Sequence, residues 1–253
     1  MTESLLVTRE TILAVDIGAT TIKFGVVDAD GQLVEDVVRM PTPYPCSPSC
    51  LVEFITEQIA ASGCSRVGVG FPGDLNEGLV VEPGNLSRPE GFTSEIDASL
   101  HQEWQNTNLE QAFRTASHRD VRVVNDATLA ALGCSEGKGN ELVFTLGTGF
   151  GIALVVNGSL NKIRDVGAEV FFEGQSYDRL LGEFARSQDE DRWNGLILLA
   201  VNNFVEEFSA DTVHLGGGNS RRVDLSLFSD SAYRIVVNDN DATLRGAVKL
   251  FDR

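Results

Sequence analysis

Several short segments of this 253-residue chain place glycine or acidic residues directly after apolar stretches. Asp16 follows the apolar run 12–15 and precedes Gly18, and Gly147-Thr148-Gly149 follows a second run. A third run ends in Gly216-Gly217-Gly218. Because glycine has no Cβ, it lets backbone N–H groups approach a phosphate closely. One glycine turn alone is usually only a tight turn, but the order and spacing of all these segments favour a phosphate-binding site.

Asp126 is the residue that could carry the catalytic step. It follows the apolar residues 121–124 and Asn125, and it opens the helix-like segment DATLAALG. A carboxylate at a helix start is positioned by the backbone, and the N-terminal dipole helps to keep it ionised. Such a group can accept the proton of a hydroxyl that attacks phosphorus. Aspartate is also a common N-cap; we favour the catalytic role over this structural one.

These segments resemble the motifs of ROK (repressor, open reading frame, kinase) sugar kinases, which belong to the actin-like ATPase superfold. DIGATTIKFGVVD and LGTGFGIAL resemble the two phosphate motifs, with Ala19 where the first usually has a second glycine. HLGGGNS resembles the adenosine motif, and VVNDATLAALG resembles the catalytic segment. The resemblance runs in the family's order from residue 12 to about 250. It implies a two-lobed, ribonuclease H-like α/β fold with a cleft between the lobes.

The resemblance also implies which residues bind the phosphate donor. Asp16 would face Mg²⁺ and the phosphates, and Asp126 would act as general base towards a hexose hydroxyl. The donor would be ATP or polyphosphate. The residues expected to contact the phosphates or the nucleotide are Asp16, Gly18, Thr20, Thr21, Lys23, Gly147, Thr148, Gly149, Gly151, Gly216, Gly217 and Gly218.

Loops that resemble the family's sugar-binding loops are GFPGDLNEG (70–78) and NLSRPEGF (85–92). The implied sugar ligands are Gly73, Asn85, Asn125, Asp126, and either Asp165 or Glu169. Asn85 and Asn125 could equally be turn formers. The family's Glu-x-Gly-His segment corresponds to DVGA (165–168), where Asp165 keeps a carboxylate and Ala168 replaces the histidine. A small shift in register gives the role to Glu169. Since the histidine is absent, the resemblance does not identify the hexose.

Strands and helices must alternate to position these residues. Residues 12–38 are predicted to form consecutive strands, and 51–63 a helix that ends near Gly63. Apolar residues recur every three or four positions over 191–208, which predicts a helix with one core-facing side. We predict one lobe over 9–120, a second over 121–240, and a last helix over 241–253 that returns to the first lobe.

The bulk composition narrows the function classes. A net charge of −17 without a basic segment argues against nucleic acid as a partner. No apolar run approaches the roughly 20 residues of a membrane span, and the first ten residues do not resemble a secretory signal. We therefore expect a cytoplasmic protein without membrane association. Its four scattered cysteines predict no zinc site, and the family's cysteine-rich zinc segment is absent. A homodimer is also considered.

Two functional classes remain. The first is an enzyme that transfers phosphate from ATP or polyphosphate to a hexose, and the second is a non-catalytic sugar-binding or regulatory relative. A repressor is disfavoured because the first strand begins near residue 11 and the charge is acidic. We favour ATP as donor, since a polyanion needs a basic groove. The cations Lys162, Arg164, Arg221 and Arg222 are interpreted as solvated surface residues.

Overall fold

The structure, a computed structural model, describes residues 11–91, 94–105, 107–161, 163–164 and 166–251. A first five-stranded sheet has the order β3-β2-β1-β4-β7. β1 is antiparallel to β2 and parallel to β4, and β4 is parallel to β7. A separate hairpin contains β5 and β6. These strands are β1 (Ile12–Ile17), β2 (Thr21–Val27), β3 (Val38–Pro41), β4 (Arg66–Phe71), β5 (Asp74–Asn76), β6 (Leu79–Glu82) and β7 (Asp120–Asn125).

A second five-stranded sheet repeats this topology. Its order is β10-β9-β8-β13-β14, with β8 antiparallel to β9 and parallel to β13, and β13 parallel to β14. β11 and β12 form a small hairpin beside it. The strands are β8 (Asn140–Leu146), β9 (Phe150–Val156), β10 (Ser159–Asn161), β11 (Val170–Phe172), β12 (Gln175–Ser176), β13 (Thr212–Gly216) and β14 (Arg234–Val237). The predicted mixed α/β architecture is confirmed.

Helices cover both sheets, and α1 begins and ends where local sequence signals predict. In α1, Ser47 accepts a hydrogen bond from the Cys50 N–H as N-cap, and Gly63 ends the helix in the left-handed conformation. The apolar side of α7 packs into the core, as its periodicity predicts. The helices are α1 (Pro48–Ser62), α2 (Ala98–Trp104), α3 (Leu109–Ser117), α4 (Asp126–Cys134), α5 (Tyr177–Leu181), α6 (Glu183–Gln188), α7 (Glu190–Phe208) and α8 (Ala242–Arg245).

Helices α4 and α8 lie between the two sheets. Leu129 of α4 and Leu244 of α8 share an apolar cluster with Ile12 and Ala14 of the first sheet. Ala127 and other alanines of α4 pack instead against β8 and β9 of the second sheet. Small residues suit this position because they let the helix approach both sheets closely. The start of α4 is therefore held at the junction of the sheets. No described helix has both the length and the apolarity of a membrane span.

Three segments differ from the sequence-based expectation. β7 pairs with β4 in the first sheet, so a boundary at 120/121 would separate it from its neighbours. Residues 33–37 do not form a strand; Leu33 makes only an isolated bridge to Val27. The C-terminal helix is short, because α8 ends at Arg245 and a 3-10 turn, Val248–Leu250, follows. Strand pairing between distant residues and packing against neighbours override local preference here.

Candidate active site

The parallel strands of the first sheet end at one edge and bring three predicted site segments together. In the strand register Asp16 is paired with Gly70, and Phe71 is paired with Asn125. Asn125 caps α4 by accepting hydrogen bonds from the N–H groups of Ala127 at 2.9 Å and Thr128 at 3.3 Å. Asp126 is therefore the first helical residue rather than the N-cap.

Asp126 lies where the two sheets meet. A Cβ added to Gly70 of the first sheet would come within 3.3 Å of the Asp126 Cα atom. A Cβ added to Gly151 of the second sheet would lie 3.5 Å from the Cβ of Ala127. The first turn of α4 thus touches the strand ends of both sheets. A side chain at this point can face substrates that bind between them.

The first glycine turn joins β1 to β2. The Gly18 N–H donates to the Thr21 carbonyl at 3.1 Å, which closes the turn through its own backbone. Two side chains from the loop after β3 hold it from outside: the Thr42 hydroxyl donates to the Gly18 carbonyl at 2.7 Å, and the Tyr44 hydroxyl to the Ala19 carbonyl at 2.8 Å. Ala19 is not in the left-handed region, so its methyl group causes no backbone strain.

The second glycine turn joins β8 to β9 and is held by more distant residues. Asp178 of α5 accepts a hydrogen bond from the Phe150 N–H at 2.7 Å. Asn219 donates from its side chain to the Gly147 carbonyl at 3.2 Å. Gly217 adopts a φ of +85°, and a Cβ there would lie 2.4 Å from the Leu146 carbonyl oxygen. Glycine is required at that position of the predicted adenosine motif for both reasons.

The two turns face each other. The Thr20 and Thr148 hydroxyl oxygens, one from each turn, are 3.5 Å apart. No described atom lies within 4 Å of a Cβ added to Gly147 or Gly218. The structure therefore brings the predicted phosphate-binding segments to one place and leaves room beside their backbone. Phosphate groups could approach the N–H groups through this space.

Lys23 and Asp16 form an ion pair at the edge of this space. The Lys23 ammonium lies 3.0 Å from the Asp16 carboxylate and donates to the Asn240 carbonyl at 2.9 Å. The Asp16 side chain remains 15% exposed. Among the described residues, no group of three or more potential metal ligands occurs. A single carboxylate fits Mg²⁺ of the kind that keeps its waters and binds mainly through substrate phosphates.

The candidate sugar ligands lie in different settings. The Gly73 carbonyl accepts a hydrogen bond from the Asn125 side chain at 3.1 Å, and Asn85 lies in the 3-10 turn Gly84–Ser87. The Glu169 carboxylate is bound by Arg164 at 2.8 and 3.0 Å. Arg164 also contacts Glu207 of α7, which packs on the sheet face opposite to α4. Asp165, like Lys162, lies outside the described residues.

A buried polar pair lies behind the adenosine motif. His214 Nε2 is 2.8 Å from Glu141 Oε2, and both side chains are 1% exposed. Burial opposes ionisation of Glu141, but hydrogen bonds from the Glu136 N–H, from His214 and from the Lys138 and Gly137 N–H groups outweigh it and lower the pKa of this carboxyl. The pair joins β8, which contains Glu141, to β13, which contains His214 and leads to Gly216. The N–H groups that donate to Glu141 join this pair to the loop after α4.

The residues that hold the two turns were not among the predicted site residues. Thr42, Tyr44, Asp178 and Asn219 make these contacts across 24 to 72 residues of chain. Only Asn219 had a local signal, since it directly follows the three glycines. The others are polar residues in loops or at a short helix start, a setting that indicates turns in general and no particular partner.

The ROK family model matches residues 12–164. A polyphosphate glucokinase of Mycobacterium leprae is 29% identical over 227 residues, which cover 83% of this chain and 64% of that protein. The chain thus spans less than two thirds of the length of that relative.

Solved structures show the same architecture. An inorganic polyphosphate/ATP-glucomannokinase from Arthrobacter sp. strain KM matches with a TM-score of 0.78 and 29% identity, over 95% of this chain and 97% of that one. A ROK family glucokinase from Streptomyces griseus, solved with glucose and AMPPNP, matches with a TM-score of 0.73 and 18% identity, over 95% and 98%. The actin-like ATPase fold predicted from the motifs is confirmed.

Proposed function

This chain belongs to the ROK family, and from that premise we propose that it is a sugar kinase. It transfers a phosphoryl group from ATP or polyphosphate to a hydroxyl of a hexose. The proposal agrees with the names of the similar proteins, which include a polyphosphate glucokinase and a glucomannokinase. The activity is that of a phosphotransferase with an alcohol group as acceptor. Because ATP is held inside cells, we place the enzyme in the cytoplasm.

The observation that carries the proposal is the meeting of the two glycine turns beside the start of α4. The Thr20 and Thr148 hydroxyls face each other at 3.5 Å. Asp126 directly follows β7, which pairs with β4, and β4 in turn pairs with β1, where Asp16 lies. Phosphoryl transfer needs donor and acceptor held in line and the developing charge neutralised. The arrangement offers backbone N–H groups, two hydroxyls and one carboxylate for these tasks.

In the proposed mechanism, the backbone of Gly147 to Gly151 and the hydroxyls of Thr20 and Thr148 hold the donor phosphates. The turn at Gly216 to Gly218 supports the nucleoside end of ATP. Asp126 accepts the proton of the hexose hydroxyl while the new phosphorus–oxygen bond forms. Asp16 would hold Mg²⁺ directly or through water, and the ion would neutralise charge on the phosphates. Lys23 keeps the Asp16 carboxylate oriented through their ion pair.

For the hexose we propose contacts with the Gly73 turn, Asn85 and Asn125, together with a carboxylate from Asp165 or Glu169. Asn125 already uses its side chain to cap α4 and to bind the Gly73 carbonyl, so it would act mainly by shaping this turn. Glu169 would have to leave Arg164 to reach a sugar. The Ala168 side chain cannot donate a hydrogen bond, so the hydroxyl that the family's histidine side chain contacts is left to water or to another group.

As donor we propose ATP in preference to polyphosphate. A long polyanion needs an uninterrupted basic groove. Several arginines around the second sheet are instead paired with glutamates: Arg164 with Glu169, Arg186 with Glu183, and Arg192 with Glu173. Arg221 and Arg222 follow the adenosine motif and are exposed. Two adjacent cations suffice for a nucleotide phosphate but do not form a track.

A donor-by-sugar activity matrix tests this function. Purified protein would be assayed with ATP and with polyphosphate against glucose, mannose and other hexoses, with Mg²⁺ present throughout. We expect phosphorylated hexose with ATP, at a higher rate than with polyphosphate. A higher rate with polyphosphate would reverse the choice of donor. Hexose binding without transfer from either donor would show a non-catalytic sugar-binding protein and overturn the proposal.

A further inference from the structure

Tyr44 lies between the first glycine turn and the predicted sugar loop and touches both. Its hydroxyl donates to the Ala19 carbonyl at 2.8 Å. On the other side its ring lies against Gly91: a Cβ added to Gly91 would be 2.8 Å from Tyr44 Cε2 and 3.0 Å from Cζ. Gly91 is buried and has a φ of +66°. The ring therefore packs directly on this backbone.

The segment around Tyr44 is anchored on both sides. The Thr42 N–H donates to the Thr20 carbonyl at 3.1 Å, and the Thr42 hydroxyl to the Gly18 carbonyl at 2.7 Å. The buried Trp104 donates from Nε1 to the Cys46 carbonyl at 2.8 Å. Burial, and then the neighbouring Cys46, raise the pKa of Tyr44 to about 12. The phenol therefore stays protonated and able to donate at any physiological pH.

We propose that Tyr44 is a positioning residue that couples hexose binding to donor binding. This inference rests on the proposed function. A hexose bound against the loop that contains Asn85 and Gly91 fixes the position of Gly91. Because the Tyr44 ring packs closely on Gly91, a fixed Gly91 also fixes the ring. The Tyr44 hydroxyl in turn fixes the Ala19 carbonyl through its hydrogen bond. The turn that holds Thr20 then becomes ordered before the donor arrives. Hexose and donor should therefore bind with positive cooperativity, which is reciprocal by thermodynamic necessity.

Three variants separate this role from a purely structural one. Tyr44→Phe removes the hydroxyl but keeps the ring against Gly91. Thr42→Val removes the other hydroxyl that holds the same turn. Within the described part of the chain, the Thr42 hydroxyl bonds to the Gly18 carbonyl of the turn and not to the sugar loop. Tyr233→Phe is the matched control, because the Tyr233 hydroxyl also forms a hydrogen bond, to Asn202 at 2.6 Å, on the exposed surface of the second sheet.

The measurement is the dissociation constant of AMPPNP by titration calorimetry, with and without saturating glucose, and again with mannose. In the wild type we expect one of these sugars to tighten AMPPNP binding about 5-fold or more, the usual lower range of coupling. Tyr44→Phe should bring that ratio to within about 2-fold of unity, well below the usual coupling. Thr42→Val should weaken AMPPNP with and without sugar and keep the ratio. Tyr233→Phe should behave as the wild type.

Hydrogen exchange provides a readout that needs no donor. In the wild type, sugar should slow exchange of the Gly18 amide, which donates within the turn; in Tyr44→Phe it should not. An unchanged coupling ratio in a folded Tyr44→Phe protein, or a wild type without coupling, overturns the inference while the kinase activity stands. If the wild type transfers no phosphate in the donor-by-sugar matrix, the proposed function fails and this inference fails with it.

Discussion

The two glycine turns occupy equivalent places in two sheets of the same topology, yet they are built differently. In the first, Ile17 pairs with Ile22, and the turn between them is closed by its own Gly18-to-Thr21 backbone hydrogen bond. In the second, Leu146 pairs with Phe150 across a shorter turn, and the carboxylate of Asp178 holds the Phe150 N–H. The second turn also has a backbone hydrogen bond of its own, from the Gly147 N–H to the Gly149 carbonyl. The difference lies in the side chains: the Thr42 and Tyr44 hydroxyls bind carbonyls of the first turn, whereas the Asp178 carboxylate binds an N–H group of the second.

The strands behind the turns differ in the polarity of their buried residues. Strand register makes Ile12 and Gly68 of the first sheet the counterparts of Glu141 and His214 of the second. Ile12 belongs to the apolar cluster under α8, whereas Glu141 and His214 form a buried polar pair. Apolar packing therefore lies behind the first turn, and a buried polar pair lies behind the second. Substitutions should affect these two halves of the site differently.

The largest effect on catalysis is expected for Gly18→Ala in the first turn. In Gly18→Ala the new Cβ would lie 2.8 Å from the backbone oxygen of Thr21, which cannot move without opening the turn. Overpacking of about 1–3 kcal/mol should lower kcat/KM for ATP about 5- to 150-fold. Steady-state kinetics checks this. Gly195→Ala, on α7 with no described atom within 4 Å of the new Cβ, is the control. Normal kinetics in Gly18→Ala would show that the turn is not close-packed.

Gly149→Ala should have a smaller effect, and that effect should not add fully to the effect of a second substitution at Asp178. Its Cβ would meet the Asp178 carboxylate at 2.5 Å, and this exposed side chain can rotate away at the cost of its bond to Phe150. Losing one hydrogen bond costs about 0.5–1.5 kcal/mol, so kcat/KM for ATP should fall about 2- to 10-fold. Asp178→Ala should cost a similar amount. The double variant should be less impaired than the sum of the two, because both remove the same bond. Full additivity would contradict the assigned contact.

The smallest effect is a pH dependence of the protein's stability that comes from Glu141 in the second sheet. Hydrogen bonds lower the pKa of Glu141 in the folded protein, while an unfolded glutamate titrates near 4.3. The sign follows: the stabilisation is complete above the unfolded value and is lost as pH falls towards the folded one. Urea unfolding between neutral pH and acid should show a steeper loss of stability in the wild type than in Glu141→Gln. The exposed Glu103→Gln should match the wild type; equal slopes in all three would remove Glu141 from this account.

Local patterns in the sequence predicted much of this fold and site. The period of residues 191–208 and the end of α1 at Gly63 each depend on neighbouring residues, and both are confirmed. The resemblance added the ROK family and the actin-like fold, which are also confirmed. Features that depend on distant pairing were not predicted. β7 joined the first sheet, and Asp178 came to hold a turn that lies 28 residues earlier in the chain.

Glu169 shows the limit most clearly. A small shift in register from the DVGA segment (165–168) makes it a candidate sugar ligand, and that role stays a prediction. The direction of its side chain, however, depends on its partners. The Arg164 guanidinium binds it on the side of α7, and no local pattern indicates that pairing. Roles carried by backbone geometry are thus easier to predict than roles carried by long, charged side chains.

Asp126 belongs to neither half, because α4 lies between the sheets, and it is the centre of the proposed kinase activity. Asn at this position keeps the shape and most hydrogen bonds but cannot accept a proton. The matched control is Asp191→Asn, another aspartate in the first turn of a helix, exposed on α7. Both variants should fold as the wild type does.

The most direct test is steady-state turnover of Asp126→Asn at saturating ATP and hexose, beside the wild type and Asp191→Asn. General-base catalysis contributes roughly 10²–10⁴ to rate, and turnover of Asp126→Asn should fall by that factor while its KM for the hexose changes little. Asp191→Asn should keep wild-type turnover. A folded Asp126→Asn enzyme within about threefold of the wild type would contradict the account and leave Asp126 as part of the helix start alone.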